Sequence, residues 1–153
     1  MSYTVSKVQW EQAAPLLKNV REQVFVYEKR IPKNVEFDRK DHYACHVLAC
    51  DDETKEPIGT GRILGSGEIS RIAVLRRHRK EQIDKLILRS LLEIAQDMGL
   101  KEIFIYSPLD AIQYFQQFNF RTSEAVFMEA GLPKQKMTCP LHKVKPVKCY
   151  LSH

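Results

Sequence analysis

Apolar and polar residues alternate with a period of two at residues 3–8, which predicts a first β-strand, and further strand-like runs begin at residue 44. Between these regions, residues 10–30 have helical spacing, with Pro15 at an early turn or helix start, and residues 31–43 are polar and predict a loop. Short turns then separate three strands, predicted at residues 44–50, 58–64 and 68–75. Strands joined by such short turns predict an antiparallel meander.

The period changes from Gln82 to Met98, where the apolar residues follow helical spacing and form one face. Gly99 follows as a left-handed cap. Residues 102–107 are continuously apolar, which predicts a strand buried on both faces. A strand, a helix and a second strand require a crossover, so residues 68–107 predict a parallel βαβ unit.

A further helix is predicted from Ser107, which can cap it, to Asn119, and residues 120–131 predict one or two final strands. The fold class is therefore α+β, with a mixed sheet and helices on both faces. We assign residues 1–140 to a single domain and residues 141–153 to a basic C-terminal tail.

The net charge of +5 comes from the last twenty residues, which contain five lysines and no acid. The rest of the chain is neutral by count, which argues against a nucleic-acid partner, and we expect the basic end to be solvated. The sequence contains neither an apolar run of about 20 residues nor a secretory signal, so we expect no membrane partner and a cytoplasmic protein. The four cysteines form no CxxC pair, so we expect reduced thiols and no metal site.

Six segments resemble, in order, parts of the small bacterial ElaA-like branch of the GNAT superfamily of N-acetyltransferases: "VREQVFVYEKRIP", "VEFDRKD", "GTGRIL", "SRIAVL", "YFQQFNF" and "MEAGLPKQKM". The resemblance covers about residues 20–137. It implies the GNAT fold and transfer of an acetyl group from acetyl-CoA to an amine. The amine acceptor would be a small molecule or a protein. The resemblance is also compatible with a homodimer of this chain.

The resemblance also assigns the cofactor site. It implies that backbone groups of Ile72, Ala73 and Val74 hold the pantetheine arm, and that an N–H near Val74 stabilises the oxyanion. The following turn and helix N-terminus would hold the pyrophosphate. The residues of that turn are Arg79, Lys80, Glu81, Gln82, Ile83 and Asp84.

This turn, "RRHRKEQID", departs from the family pattern. Arg79 matches, but Lys80, Gln82 and Asp84 replace glycines, and two carboxylates lie at the positive end of the helix. Either side-chain cations replace the backbone amides and CoA still binds, or the turn is solvated and the helix is capped by its own acids. We interpret His78 as an exposed turn residue.

The catalytic candidates depart from the family as well. Phe115 occupies the position of the usual acid tyrosine, and Tyr114 lies about 100° around the helix from it. Tyr114 and Ser107 are the catalytic candidates, and Tyr106 is another hydroxyl near the expected sulfur. The alternatives are that Tyr114 packs on the sheet and that Ser107 caps the helix.

The segment "VEFDRKDHYACH" supplies candidate substrate-binding residues, which are Glu36, Asp38, Asp41 and His46. Clustered carboxylates suit a cationic amine and could supply a base; the alternative is a solvated acidic loop. Arg62 and Arg71 are interpreted as exposed or ion-paired strand residues. The leading function is an N-acetyltransferase, and the alternative is a GNAT-fold pseudoenzyme that binds a ligand or a protein.

Overall fold

The computed structural model describes residues 2–147. The first half of the chain contains a four-stranded antiparallel sheet in the order β1–β2–β3–β4. Its strands are β1 (Tyr3–Val8), β2 (Cys45–Asp51), β3 (Pro57–Ile63) and β4 (Ile69–Val74). The predicted meander of the last three strands is confirmed.

The helix predicted over residues 10–30 is two segments. α1 covers Trp10–Arg21, and a π-helical segment covers Glu22–Glu28. Pro15 lies inside α1 rather than at its start. It removes one backbone donor, but the apolar face of the helix still packs on the sheet and keeps the turn helical. Next, the polar region predicted as a loop contains a short helix, α2 (Lys33–Glu36), and a 3-10 turn at Arg39–His42.

Helices cover both faces of this sheet, as predicted. On one face, Leu17 of α1 packs with Trp10 and Leu48. On the other face, Ile87 of α3 (Ile83–Asp97) reaches the backbone of β3 at Gly61. A Cβ atom at Gly61 would lie 2.6 Å from Cγ2 of Ile87, so this glycine allows the helix to lie close to the sheet. The predicted left-handed cap after α3 is also confirmed, because Gly99 has φ +72°.

A second sheet follows α3, with the order β5–β8–β6 and with β7 paired to β8. The strands are β5 (Glu102–Pro108), β6 (Arg121–Thr122), β7 (Phe127–Glu129) and β8 (Leu132–Pro140). The sequence pattern missed β8, which lies in the lysine-rich stretch expected to be solvated. Met137 and Cys139 are its buried positions, and the intervening residues face the other way.

Strands β4 and β5 meet at a single parallel bridge, between Glu68 and Phe104. Gly67 accepts a hydrogen bond from the Phe104 N–H at 3.0 Å, and it has φ +99°. A Cβ atom at Gly67 would lie 2.6 Å from the carbonyl oxygen of Glu102, so only glycine fits this junction. The predicted strand–helix–strand unit is present, but its parallel pairing is limited to this bridge.

The helix predicted to begin at Ser107 was placed too early. β5 continues to Pro108, because Ser107 and Pro108 pair with Gln135 and Lys134 of β8. A 3-10 turn at Leu109–Ala111 then leads into α4 (Ile112–Gln116), which ends before Asn119. Ser107 is buried in the strand and does not cap a helix.

Residues 141–147 lie against the body of the protein. Val147 is buried in the main core, and the Lys145 N–H donates to the Phe118 carbonyl at 3.1 Å. The rest of the predicted basic tail, residues 148–153 with Cys149, lies outside the described residues. Within residues 2–147, no helix has the length and apolar content needed to cross a membrane.

Replacing Gly61 with alanine should destabilise the protein, because the new methyl group would overlap Ile87 and Leu91 of α3. Overpacking of this kind costs about 1–3 kcal/mol of unfolding free energy. The control is Gly65→Ala, where a Cβ atom meets nothing within 4 Å and φ is not positive. Urea denaturation of both variants measures the difference, and equal stability would contradict the close helix–sheet contact.

Candidate functional site

A cavity of about 330 Å³ opens where β4 and β5 separate beyond their single bridge. Ile69 and Ile72 of β4 form one wall, and Ile105 and Tyr106 of β5 form the other. The π-helical segment, the region of α2 and the turn between β7 and β8 close the remaining sides. The cavity is large enough for a small molecule or the reactive end of a longer one.

A network of six charged side chains lies beneath the cavity on the α2 side, and four of its members, Glu36, Asp38, Arg62 and Arg71, line the cavity. The Arg21 guanidinium contacts Glu36 at 2.7 Å and Asp41 at 2.8 Å. The Arg62 guanidinium contacts Asp38 at 2.8 Å and Asp41 at 3.0 Å. Arg71 completes the network with contacts to Glu36 at 3.1 Å and Asp38 at 3.3 Å. Three cations therefore balance three anions, and the interpretation of Arg62 and Arg71 as ion-paired residues is confirmed.

A local irregularity in β4 aims Arg71 at this network. Arg71 has φ +56°, and the pairing register of β3 and β4 shifts between Thr60 and Arg62. The Thr60 hydroxyl donates to the Arg71 carbonyl at 2.9 Å. This bond gives the carbonyl a donor at the point where the regular pairing of β3 and β4 is interrupted. The Arg71 side chain in turn donates to the Glu36 carbonyl at 3.0 Å and so fixes the end of α2.

The alternative of a solvated acidic loop is wrong, because Glu36 and Asp41 are almost fully buried. Burial raises the pKa of Glu36 despite its arginine neighbours. Burial also acts to raise the pKa of Asp38, but the hydrogen bond from Arg62 and the charges of Arg62 and Arg71 outweigh it and lower that pKa. Glu36 and Asp38 line the cavity, so a role for them in substrate binding stays a prediction.

Asp41 and His46 lie behind the cavity wall and are not among its lining residues. His46 is 1% exposed, and its ring packs on Trp10 with a centroid distance of 5.3 Å. Its Nε2 lies 2.8 Å from the Asp41 carbonyl oxygen, and because a carbonyl only accepts, Nε2 carries the proton. Burial lowers the pKa of His46. Both residues support the wall from behind, and their predicted roles in substrate binding stay predictions.

The cationic turn after β4 is a 3-10 turn at Arg76–Glu81, followed by the start of α3 at Ile83. Of the three positions where glycine was expected, only Gln82 has a dihedral that favours it, with φ +59°. Lys80 lies in the 3-10 turn and Asp84 in α3, so neither position needs glycine for its backbone conformation. The backbone groups of Ile72, Ala73 and Val74 directly precede this turn in β4.

Arg79 is fixed in this turn by three hydrogen bonds. Its Nε donates to the Val74 carbonyl at 2.9 Å, and its two terminal nitrogens donate to the Glu28 carboxylate at 2.7 and 2.6 Å. Glu28 comes from the π-helical segment and also lies 3.5 Å from Arg76. The guanidinium fork therefore already holds an oxyanion, which comes from the protein itself.

His78, interpreted as an exposed residue of this turn, is instead buried. Its Nδ1 lies 3.1 Å from the Tyr3 hydroxyl, and its Nε2 has no hydrogen-bond partner among the residues that the structure describes. The ring fills space between the turn and β1, which explains why a histidine in a basic run does not reach solvent.

The two catalytic candidates do not lie on the cavity wall. The Tyr114 hydroxyl donates to the Asp84 carboxylate at 2.6 Å, and burial together with that carboxylate raises the pKa of Tyr114. The Ser107 hydroxyl donates to the Pro108 carbonyl at 2.8 Å. Phe115 and Tyr106 do line the cavity. The catalytic roles of Tyr114 and Ser107 stay predictions. Of the other lining residues with a hydroxyl, Ser70 accepts a hydrogen bond from Arg62, and Tyr106 has no hydrogen bond within the described residues.

Sequence reasoning missed two residues of this site. Arg21 is four positions after Leu17 on the apolar face of α1, and a charge at such a position indicates a buried partner. Glu68 lines the cavity next to the bridge and has no ion pair or hydrogen bond to its side chain within residues 2–147. No spacing or motif distinguishes Glu68 from an ordinary strand-end acid.

Comparison with known proteins identifies the class. Among solved structures, Escherichia coli ElaA matches with a TM-score of 0.78 at 21% identity, covering 90% of this chain and 99% of that one. An acyl-CoA N-acyltransferase from Pseudomonas aeruginosa matches with a TM-score of 0.77 at 19% identity, covering 90% and 97%. The fold is therefore that of acyl-CoA N-acyltransferases.

The family follows from the sequence matches. Residues 13–141 match the family described as "Acetyltransferase (GNAT) domain". The uncharacterized N-acetyltransferase YjcF of Bacillus subtilis is 32% identical over 122 residues, which cover 77% of this chain and 86% of that protein. The chain belongs to the GNAT acetyltransferase family, as its sequence predicted.

Replacing Arg62 with methionine should strongly destabilise the protein, because Asp38 and Asp41 would lose their shared cation while Asp41 remains buried. Breaking a buried ion pair from one side costs about 3–5 kcal/mol. The control is Arg39→Met, an exposed arginine of the neighbouring 3-10 turn with no ion pair among the described residues. Urea denaturation compares the two, and a loss no larger than that of the control would remove the network as a structural support.

Proposed function

We propose that this protein is an N-acetyltransferase that transfers the acetyl group of acetyl-CoA to an amine. The observation that carries the proposal is the cavity at the split between β4 and β5, which lies beside the strand that leads into a cationic turn. A long thioester could follow β4, with its acyl end in the cavity and its phosphates at the turn. Family membership supports an acyl-CoA donor.

Acyl transfer to an amine needs a group that takes a proton from the ammonium before attack. Glu68 suits this role, because it is the lining carboxylate without an ion pair within residues 2–147, whereas Glu129, which also lines the cavity, is paired with Lys134. Glu36 and Asp38 also line the cavity, but the network holds both of them. They would hold the acceptor in place rather than accept its proton.

The amine nitrogen then bonds to the thioester carbon, and the carbon–sulfur bond breaks. The leaving thiolate needs a proton, and Tyr106 has a hydroxyl on the cavity wall with no hydrogen bond within the described residues. Tyr114 suits this step less well, because Asp84 holds its proton and its pKa is raised. A backbone N–H near Val74 would stabilise the oxyanion of the intermediate.

The second candidate function is a GNAT-fold binding module without catalysis. The observation that favours it is the bond between Arg79 and Glu28, together with the unfavourable dihedral of Gln82 at the start of α3. In this case the cavity would bind a ligand and no acyl-CoA would turn over. Detection of acetylated product distinguishes the two functions.

Incubation with acetyl-CoA and a panel of amines should release free thiol, and mass spectrometry should identify the acetylated amine. Glu68→Gln should lower kcat/KM by about 10²-fold or more at neutral pH, as expected for loss of a general base. Glu102→Gln, an exposed acid at the start of β5, should leave the rate unchanged. Full activity of Glu68→Gln would assign the proton transfer to another group, and no product with any amine would favour the binding module.

A further inference from the structure

The contact between Glu28 and Arg79 joins two segments that are 51 positions apart in the sequence. Both oxygens of the carboxylate accept from the guanidinium, at 2.7 and 2.6 Å. The third nitrogen of Arg79 is bound to the Val74 carbonyl. A carboxylate and a phosphate bind the guanidinium fork in the same two-point geometry, so Glu28 occupies the place where a phosphate would bind.

Glu28 is suited to hold this place and also to leave it. The hydrogen bond from Arg79 lowers the pKa of Glu28, so the carboxylate is ionised at neutral pH. The Glu28 side chain is 25% exposed and that of Arg79 is 37% exposed, so water can solvate both groups when the pair opens. The bond from Arg79 to the Val74 carbonyl does not involve Glu28 and can keep the guanidinium at the end of β4 in either state.

We propose that Glu28 is an internal competitor for the phosphate groups of CoA at Arg79, so that cofactor binding must displace it. The inference rests on the proposed function, since it assumes that an acyl-CoA binds along β4. Glu28 thereby sets the affinity of the site for phosphates. CoA would then occupy the site only at concentrations high enough to break the bond between Glu28 and Arg79.

The turn contains a matched control for this proposal. Arg77 of this turn forms an ion pair with Glu56, which lies in the connection between β2 and β3, and both side chains are about half exposed. Glu56→Gln removes the same charge as Glu28→Gln and frees a neighbouring guanidinium, but it leaves Arg79 bound to Glu28. Any gain that comes only from a more positive surface appears in both variants.

The experiment is calorimetric titration of CoA into wild type, Glu28→Gln, Glu56→Gln, Arg79→Ala and the double variant Glu28→Gln/Arg79→Ala. Glu28→Gln should bind CoA roughly three- to ten-fold more tightly than wild type, the range set by a partly exposed bidentate ion pair. Glu56→Gln should change the affinity by less than about two-fold. The gain should disappear when Arg79 is also replaced.

Unchanged or weaker CoA binding by Glu28→Gln would overturn the proposal and leave the acyl-CoA function in place. An equal gain in Glu56→Gln would also overturn it, because the effect would then be one of net charge. Absence of CoA binding in every variant at millimolar concentration would overturn both the competition and the proposed function. Thermal unfolding checks each variant, with Glu28→Ala as a second replacement; if neither Glu28 variant folds, the pair is structural and the proposal fails.

Discussion

The balance of three arginines against three carboxylates beneath the cavity is the constraint on which the rest of the site depends. Arg21 and Asp41 are each 1% exposed, and charges so far from water are tolerated only when each one is paired and hydrogen-bonded. The network links α1, the α2 region, β3 and β4. It therefore holds the α2 region in place as one wall of the cavity, because this polar segment has no regular backbone pairing of its own.

The π-helical segment connects the two ends of the site. Phe25 and Lys29 of this region line the cavity, while Glu28 points to the cationic turn and holds Arg79. A π-helix widens the turn relative to an α-helix, so residues that would be stacked on one face are redistributed around the axis, and such segments are frequent at functional sites. A change in the partner of Arg79 therefore acts on the same segment that closes the cavity.

The sequence predicted the parts of the fold that depend on local periodicity. The meander, α3 and the cap at Gly99 follow from spacing within a few residues. Strand β8 was not predicted, because its lysines obscured the alternation that buries Met137 and Cys139. Residues of the site depend on partners far along the chain: Arg62 contacts Asp38 across 24 positions, and the acid that binds Arg79 lies 51 positions away.

The family resemblance identified the turn at Arg79 but not the state of that turn. From the sequence alone, Lys80, Gln82 and Asp84 were equivalent replacements of the family glycines. In the structure, only Gln82 of these three positions has a φ that is unfavourable for a residue other than glycine. Likewise, the sequence indicated acids of the α2 region as candidates for substrate binding, but it did not show that arginines pair with Glu36, Asp38 and Asp41. No sequence pattern distinguishes Glu68, because its lack of an ion pair within residues 2–147 follows from how distant parts of the chain pack together.

We propose that the turn after β4 is a phosphate site, which the protein occupies with its own Glu28 carboxylate. The most direct test is a crystal structure of the protein with CoA bound. We expect phosphate oxygens against the Arg79 guanidinium, with the bond from Arg79 to the Val74 carbonyl kept and the Glu28 carboxylate moved away. CoA bound in the cleft with the Arg79–Glu28 pair intact would contradict it.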